Sequence, residues 1–154
     1  MEQIHQQLST ACFNQCWDLI DKTDRAPEDV ENMLLLSYAS LWHWKQRPDQ
    51  TPTNLSVGYW QASRVNALAG LADTAEWFAR RCLEVSVTNL LPPFYVGYAY
   101  EAAARASLVR GARDRALEQL RAAGKELAKV TDEEERKLLQ ADLAQLAKAL
   151  AEAR

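Results

Sequence analysis

The 154-residue chain has a net charge of −3 and 48% apolar residues, which is typical of one globular domain. It has no apolar run long enough to span a membrane, and its start lacks the basic and apolar stretches of a signal peptide. Three cysteines argue against a disulfide framework, so we expect the protein to lie in the cytoplasm. The length predicts a single domain, 1–154.

The first two predicted helices form a hairpin over 1–46. Apolar residues recur at three–four spacing through a first helix of about 2–21. Pro27 suits the first turn of a second helix, which runs to about Gln46. The proline-containing segment 47–54 is predicted to be a loop.

A second hairpin is predicted at 54–87. Its first helix, about 54–69, ends at Gly70, a residue type that adopts the left-handed conformation at helix ends. Asp73 is predicted to be the N-cap of the next helix, which ends near Val87.

The third hairpin is predicted at 92–130 and is followed by a seventh helix. Pro93 suits the start of the fifth helix, Gly111 ends it, and Asp114 lies at the opening of the sixth. The sequence Thr-Asp-Glu-Glu from Thr131 matches a capping box and predicts a capping helix over 131–154.

The second and third hairpins are related by an internal repeat. A shift of 41 positions aligns Tyr59 with Tyr100, Ala62 with Ala103, Arg64 with Arg105, Gly70 with Gly111, Asp73 with Asp114, Ala75 with Ala116 and Arg80 with Arg121. The glycine would turn the chain, and the small alanines would let the helices approach closely.

This repeat resembles the tetratricopeptide family of helix pairs. The small residues of that family fall at Gly70, Ala75 and Cys82 in one unit, and at Gly111, Ala116 and Ala123 in the next. Tyr59 and Tyr100 take the place of its helix-A aromatic residue. The resemblance covers 56–125, but the unit exceeds the family's 34 residues because 86–92 is inserted, and no proline follows helix B.

The resemblance implies an all-α fold, an α-α superhelix of three antiparallel hairpins with a capping seventh helix. His43-Trp44 and Trp60-Gln61-x-Ser63-Arg64-Val65 are similar to stretches of small bacterial tetratricopeptide-like proteins of unassigned function. We therefore expect a bacterial protein, and this second similarity implies no activity.

In the tetratricopeptide fold, helix A of each unit lines a concave groove. The corresponding positions include Trp60, Arg64, Tyr98, Glu101 and Arg105. Arginines beside aromatic rings suit an acidic side chain, a terminal carboxylate or a phosphate. The alternative is an internal salt bridge between Glu101 and one of the arginines.

We expect a non-enzymatic module that binds a protein or peptide, for which an acidic segment is one candidate, or a second copy of the chain. The lysine and asparagine clamp with which chaperone-binding members of the family hold a peptide carboxylate is missing here. A second hypothesis is a small-molecule or enzymatic pocket near Trp42, His43, Trp60 and Arg64. In the simpler interpretation, His43 packs beneath the loop and bonds a backbone carbonyl.

The remaining candidate chemistry is weak. Cys12 and Cys16, with His5, have metal-ligand side chains, but the cysteines lie in an apolar stripe that favours packing. A Cys82–His43 catalytic pair is rejected because Cys82 occupies a packing position of the repeat. No catalytic, metal or cofactor motif is present, so we expect no enzyme activity and no cofactor.

A third functional hypothesis is nucleic-acid binding by the basic tract 105–129. Its cations are Arg105, Arg110, Arg113, Arg115, Arg121, Lys125 and Lys129. Acids are interleaved with them, and the isoelectric point of about 5.4 is low for a nucleic-acid binder, so a solvated helix face is favoured.

Overall fold

The computed structural model describes residues 1–153, which form seven α-helices and no strand. The helices are α1 (Glu2–Ile20), α2 (Pro27–Gln46), α3 (Pro52–Leu68), α4 (Ala72–Thr88), α5 (Pro93–Arg110), α6 (Arg113–Leu127) and α7 (Glu133–Glu152). The predictions of an all-α chain and of seven helices are confirmed for the described part of the chain.

Side-chain caps shift some helix starts from their predicted positions. Asn54 N donates to Thr51 Oγ1 and Thr51 N donates to Asn54 Oδ1, so α3 begins at Pro52. Glu135 N donates to Asp132 Oδ1, which makes Asp132 the N-cap of α7 instead of Thr131.

The predicted cap of α4 is wrong. Leu71 is the N-cap and makes no side-chain bond, while Asp73 lies inside the first turn. An acid there interacts favourably with the helix dipole without capping the helix.

The repeat appears as two turns with the same backbone geometry. Gly70 and Gly111 have φ of +77° and +83°, in the left-handed region. Leu71 N donates to Asn66 O at 2.9 Å, and 41 residues later Ala112 N donates to Ser107 O at 2.9 Å. This is the closing bond of a Schellman motif, so the glycine turns of the two units are equivalent.

Each helix packs against its neighbour in sequence, with α1 on α2, α3 on α4 and α5 on α6. The odd-numbered helices also lie side by side. Helix α5 packs on both α3 and α7. Trp17 of α1 stacks on Trp60 of α3 with ring centroids 5.6 Å apart. We call the surface formed by α1, α3, α5 and α7 the odd-helix face.

Buried leucines attach α7 to the rest of the molecule. They are Leu139, Leu143, Leu146 and Leu150, and their neighbours belong to α5 and α6. The seventh helix therefore extends the odd-helix face. Across residues 1–153, no helix has the length and apolarity needed to cross a bilayer.

Candidate binding site

A pocket of about 260 Å³ lies at the odd-helix face. Residues of α1, α3, α4, α5 and α7 line it: Trp17, Ser56, Val57, Trp60, Cys82, Phe94, Tyr95, Tyr98, Leu138 and Asp142. We call this the aromatic pocket because five of its lining residues carry aromatic rings. Among the described residues, Asp142 is its one charged lining residue.

The rings of the aromatic pocket meet at steep angles. Trp60 and Tyr98 are 5.6 Å apart between centroids, with an angle of 81° between their planes. Phe94 contacts Tyr98 at 5.1 Å and 79°, and Tyr95 at 5.2 Å and 83°. Edge-to-face contacts of this kind are favourable, and they help to hold these rings in place as pocket walls.

A buried ion pair lies one turn along α5 from the pocket. Arg105 Nε donates to Glu101 Oε1 at 2.5 Å, and the Glu101 side chain is fully buried. Arg105 Nη2 also donates to Gln145 Oε1 on α7 at 3.2 Å. Burial raises the pKa of Glu101, while the charge and hydrogen bond of Arg105 act in the opposite direction.

Tyr98 links the aromatic pocket to α7. Its hydroxyl donates to Asp142 Oδ2 at 2.6 Å. Burial and the bond to the Asp142 carboxylate both raise the pKa of Tyr98, so the phenol remains a neutral donor. Tyr98 therefore forms part of the pocket wall and also holds the Asp142 carboxylate there.

Arg64 has no such partner. Within residues 1–153, its guanidinium makes neither a hydrogen bond nor an ion pair, although it is largely buried. Burial lowers its pKa to about 10, with a further contribution from Arg105, so it is still charged at neutral pH. Glu101 and Asp142 are near enough to act in the opposite direction.

Two buried polar atoms of the site have no hydrogen-bond partner in the described structure. They are Trp60 Nε1 and Glu101 Oε2. A buried polar atom without a partner costs about 1–3 kcal/mol, so native proteins keep few of them. Both atoms belong to residues that were predicted to line the groove.

The structure thus brings together all five predicted groove residues, and it separates the roles of the two repeated arginines. Arg105 forms the internal salt bridge that was the alternative interpretation. Arg64, its equivalent 41 residues earlier, does not. The difference arises because the position of Glu101 in one unit is taken by Trp60 in the other.

Other residues of the site were not predicted. Trp17, Phe94, Tyr95 and Asp142 line the pocket but lie outside the groove positions of the repeat. Trp17 lies on α1, and nothing in the sequence places it beside Trp60. Asp142 lies on α7, which was interpreted only as a cap.

Trp42 and His43 form a separate cluster with His5 of α1. The Nδ1 atoms of His5 and His43 are 2.8 Å apart, so one imidazole donates and the other accepts. Burial lowers the pKa of His43, and His5 adds to this effect. The partner of His43 is thus another imidazole and not the expected backbone carbonyl. No described hydrogen bond or ring contact joins this cluster to Trp60 or Arg64.

The cysteines are arranged for packing. Cys16 and Cys82 are buried and Cys12 is half-buried. Burial raises the pKa of Cys82 to about 12, which keeps the thiol protonated. In the part of the chain that the structure describes, no three His, Cys, Asp or Glu side chains are grouped to hold a metal ion.

Several cations of the basic tract 105–129 are paired with acids. Arg110 contacts Asp73 and Glu76, and Arg115 contacts Glu76 as well. Lys129 pairs with Glu126 within the tract. These pairs leave less free positive charge on this surface than the count of basic residues indicates.

No protein-family model, curated protein or solved structure matches the chain.

Proposed function

We propose that the chain is a non-enzymatic binding module with the hairpin arrangement of tetratricopeptide proteins. The equivalent turns at Gly70 and Gly111 and the side-by-side packing of α3, α5 and α7 support that arrangement. In stacked helix pairs of this kind, one layer of helices provides an extended binding surface. The odd-helix face would be that surface, and its ligand would be a short segment of a partner protein.

The environment of Arg64 is the main support for this proposal. Within residues 1–153, the largely buried guanidinium of Arg64 pairs with no carboxylate, and it lies one turn along α3 from Trp60, which lines the aromatic pocket. Guanidinium binds carboxylates with two parallel hydrogen bonds, and these are strongest where water is excluded. The ligand segment would therefore place an acidic side chain or terminal carboxylate on Arg64 and a bulky group in the pocket.

The size of the pocket agrees with this use. At about 260 Å³ it lies just below the range of about 300–1000 Å³ for drug-sized ligands. One side chain of a peptide would fill it, while the remainder of the segment would lie along the odd-helix face.

The proposal is tested by measuring the binding of an acidic peptide library to the wild type and to Arg64→Gln. Loss of a charge-assisted bond should weaken the best acidic peptides about tenfold to a hundredfold. The matched control is Arg80→Gln, because Arg80 is an exposed residue of α4 that pairs only weakly with Glu76. Equal binding by the wild type and Arg64→Gln would contradict the assignment of Arg64.

Arg64→Gln is preferred to a double variant that also removes Arg105. Arg105 neutralises the fully buried Glu101, so its removal would destabilise the fold and confuse a binding result. Arg64 makes no bond to any other residue of 1–153, so its variant should remain folded.

A further inference from the structure

We propose that the aromatic pocket is a cage for a trialkylated ammonium group, held by the ring faces and by the carboxylate of Asp142. This inference rests on the proposed function of the odd-helix face, and it adds the chemistry of the group that enters the pocket. The same chemistry could reach the pocket on a methylated lysine side chain of a peptide or on a free small molecule.

Several aromatic rings of the pocket are set at steep angles to one another. Tyr98 stands nearly perpendicular to Trp60 at 81° and to Phe94 at 79°, and Tyr95 stands at 83° to Phe94. Trp17 lies nearly parallel to Trp60, at 23°, so the rings of the pocket face in at least two directions and cannot all stack on one flat ligand. Because aromatic faces carry negative charge density, such an arrangement attracts a compact cation.

The charge of the pocket lining is negative. Asp142 supplies a carboxylate, and within residues 1–153 no basic side chain lines the pocket. The Tyr98 hydroxyl binds Asp142 Oδ2 at 2.6 Å, which fixes the carboxylate beside the rings. A neutral apolar occupant would desolvate this carboxylate and leave it only the hydrogen bond from Tyr98, whereas a cation also compensates its charge.

The lining also favours an alkylated ammonium over a primary ammonium. A lysine ammonium has three N–H donors, and each needs an acceptor when it leaves water. The pocket presents mostly ring carbon, with few acceptor oxygens. A trimethylammonium group has no N–H donor, and its methyl groups pack well against aromatic faces.

Arg64 indicates what should accompany the cation. Its positive charge beside the site disfavours a bare cation, but it favours a ligand whose ammonium lies close to a carboxylate. The ammonium would enter the aromatic pocket and the carboxylate would bind Arg64. Trp60 lines the pocket one turn from Arg64, and its buried Nε1 donor has no acceptor in the described part of the chain.

Four small probes separate the two subsites by isothermal titration. Glycine betaine has both groups, choline has the trimethylammonium alone, 3,3-dimethylbutanoate has the carboxylate with a neutral tert-butyl group, and 3,3-dimethylbutanol has neither charge. We expect the charged head to improve affinity about fivefold or more in each isosteric pair. Betaine should bind most tightly because it uses both subsites.

Variants assign the effect to residues. Asp142→Asn keeps an acceptor for Tyr98 but removes the charge, so it should lower the affinity for betaine and choline and leave that for the uncharged 3,3-dimethylbutanol unchanged. Tyr95→Leu keeps apolar volume but removes a ring, with the same expected pattern. Trp77→Leu is the control, because Trp77 is 59% exposed on α4 and lies outside the pocket.

The outcomes are distinguishable. If the tert-butyl probes bind as tightly as the trimethylammonium probes, the cage is overturned while the carboxylate subsite at Arg64 can still be read from the butanoate. If the carboxylate has no effect and Arg64→Gln changes nothing, the proposed function fails independently of the cage. If none of the four probes binds, a peptide pair carrying trimethyllysine or its neutral isostere decides, and equal or absent binding of both peptides overturns the cage.

Discussion

Glu101 and Arg105 form a buried ion pair within the odd-helix face. The Glu101 side chain is fully buried and that of Arg105 is 11% exposed. Arg105→Ala would leave the Glu101 charge uncompensated inside the protein, so we predict a loss of about 3–5 kcal/mol in the free energy of unfolding. Urea denaturation measures this loss. The exposed ion pair of Arg80 provides the control, since Arg80→Ala should change stability by no more than about 0.5 kcal/mol.

The stability of the protein should depend on pH through Glu101. Burial raises the pKa of this carboxyl, so the folded state binds its proton more tightly than the unfolded state. The contribution is therefore fully present below the unfolded pKa and is lost as pH rises towards the folded pKa. Glu101→Gln cannot ionise, and we predict that this variant loses less stability than the wild type between about pH 4 and about pH 8.

The measurement is urea unfolding of both proteins across that range. Glu84→Gln is the comparison, because Glu84 lies at the surface of α4 with a side chain 59% exposed. The same pH dependence in the wild type and in Glu101→Gln would contradict the assignment.

Arg64 and Arg105 mark the limit of residue-level prediction. The repeat places them at equivalent positions, and composition cannot distinguish them. Arg105 has Glu101 four residues earlier on the same helix, which the sequence contains, whereas Arg64 has Trp60 there. The pairing of Arg105 was therefore among the predicted alternatives. That Arg64 has no partner within residues 1–153 depends instead on the side chains of every neighbouring helix.

At the scale of elements, α5 and α7 lie in close contact at Gly97 of α5. A Cβ added there would lie 2.7 Å from Cδ2 of the buried Leu139 on α7. Gly124 of α6 is also helical, and an added Cβ would meet nothing within 4 Å. We predict that Gly124→Ala stabilises the protein by about 0.4–1 kcal/mol and that Gly97→Ala is less stable than Gly124→Ala by about 1–3 kcal/mol. Thermal unfolding of both variants compares them, and equal stability would show that Leu139 moves aside without cost.

Helix ends were predicted well where a backbone conformation required a particular residue. Gly70 and Gly111 are in the left-handed region, where a side chain is strained, so their position could be recognised from the repeat. Asp73 was misplaced as a cap because an acid is favourable at several positions of a first turn, and sequence alone does not choose among them.

At the scale of the whole molecule, the odd-helix face couples the two ends of the chain. All five tryptophans lie between Trp17 and Trp77, so their fluorescence reports on α1–α4, whereas circular dichroism reports on every helix. We predict that Leu146→Ala on α7 lowers stability by about 2–5 kcal/mol and shifts the urea midpoint equally by both methods. The shift is shared because α7 packs on α5 and α5 on α3.

Leu35→Ala is the control for this experiment, because Leu35 is 57% exposed on α2. Arrays of helix pairs can unfold from one end, since each unit contacts mainly its neighbours. A circular dichroism midpoint that moves without the fluorescence midpoint would show that α7 unfolds independently and would contradict the prediction.

The sequence by itself determined the seven helices and the turns between α3 and α4 and between α5 and α6. Apolar periodicity, proline and left-handed glycine act over a few residues, so they can be read from the chain directly. The sequence also identified five residues that come together beside one pocket. Only the tertiary structure decided which arginine is paired and which rings form the pocket walls. It also brought Asp142 of α7 to Tyr98 of α5, a contact between residues 44 positions apart. Contacts of that kind depend on how whole helices pack, and no local pattern in this sequence encodes them.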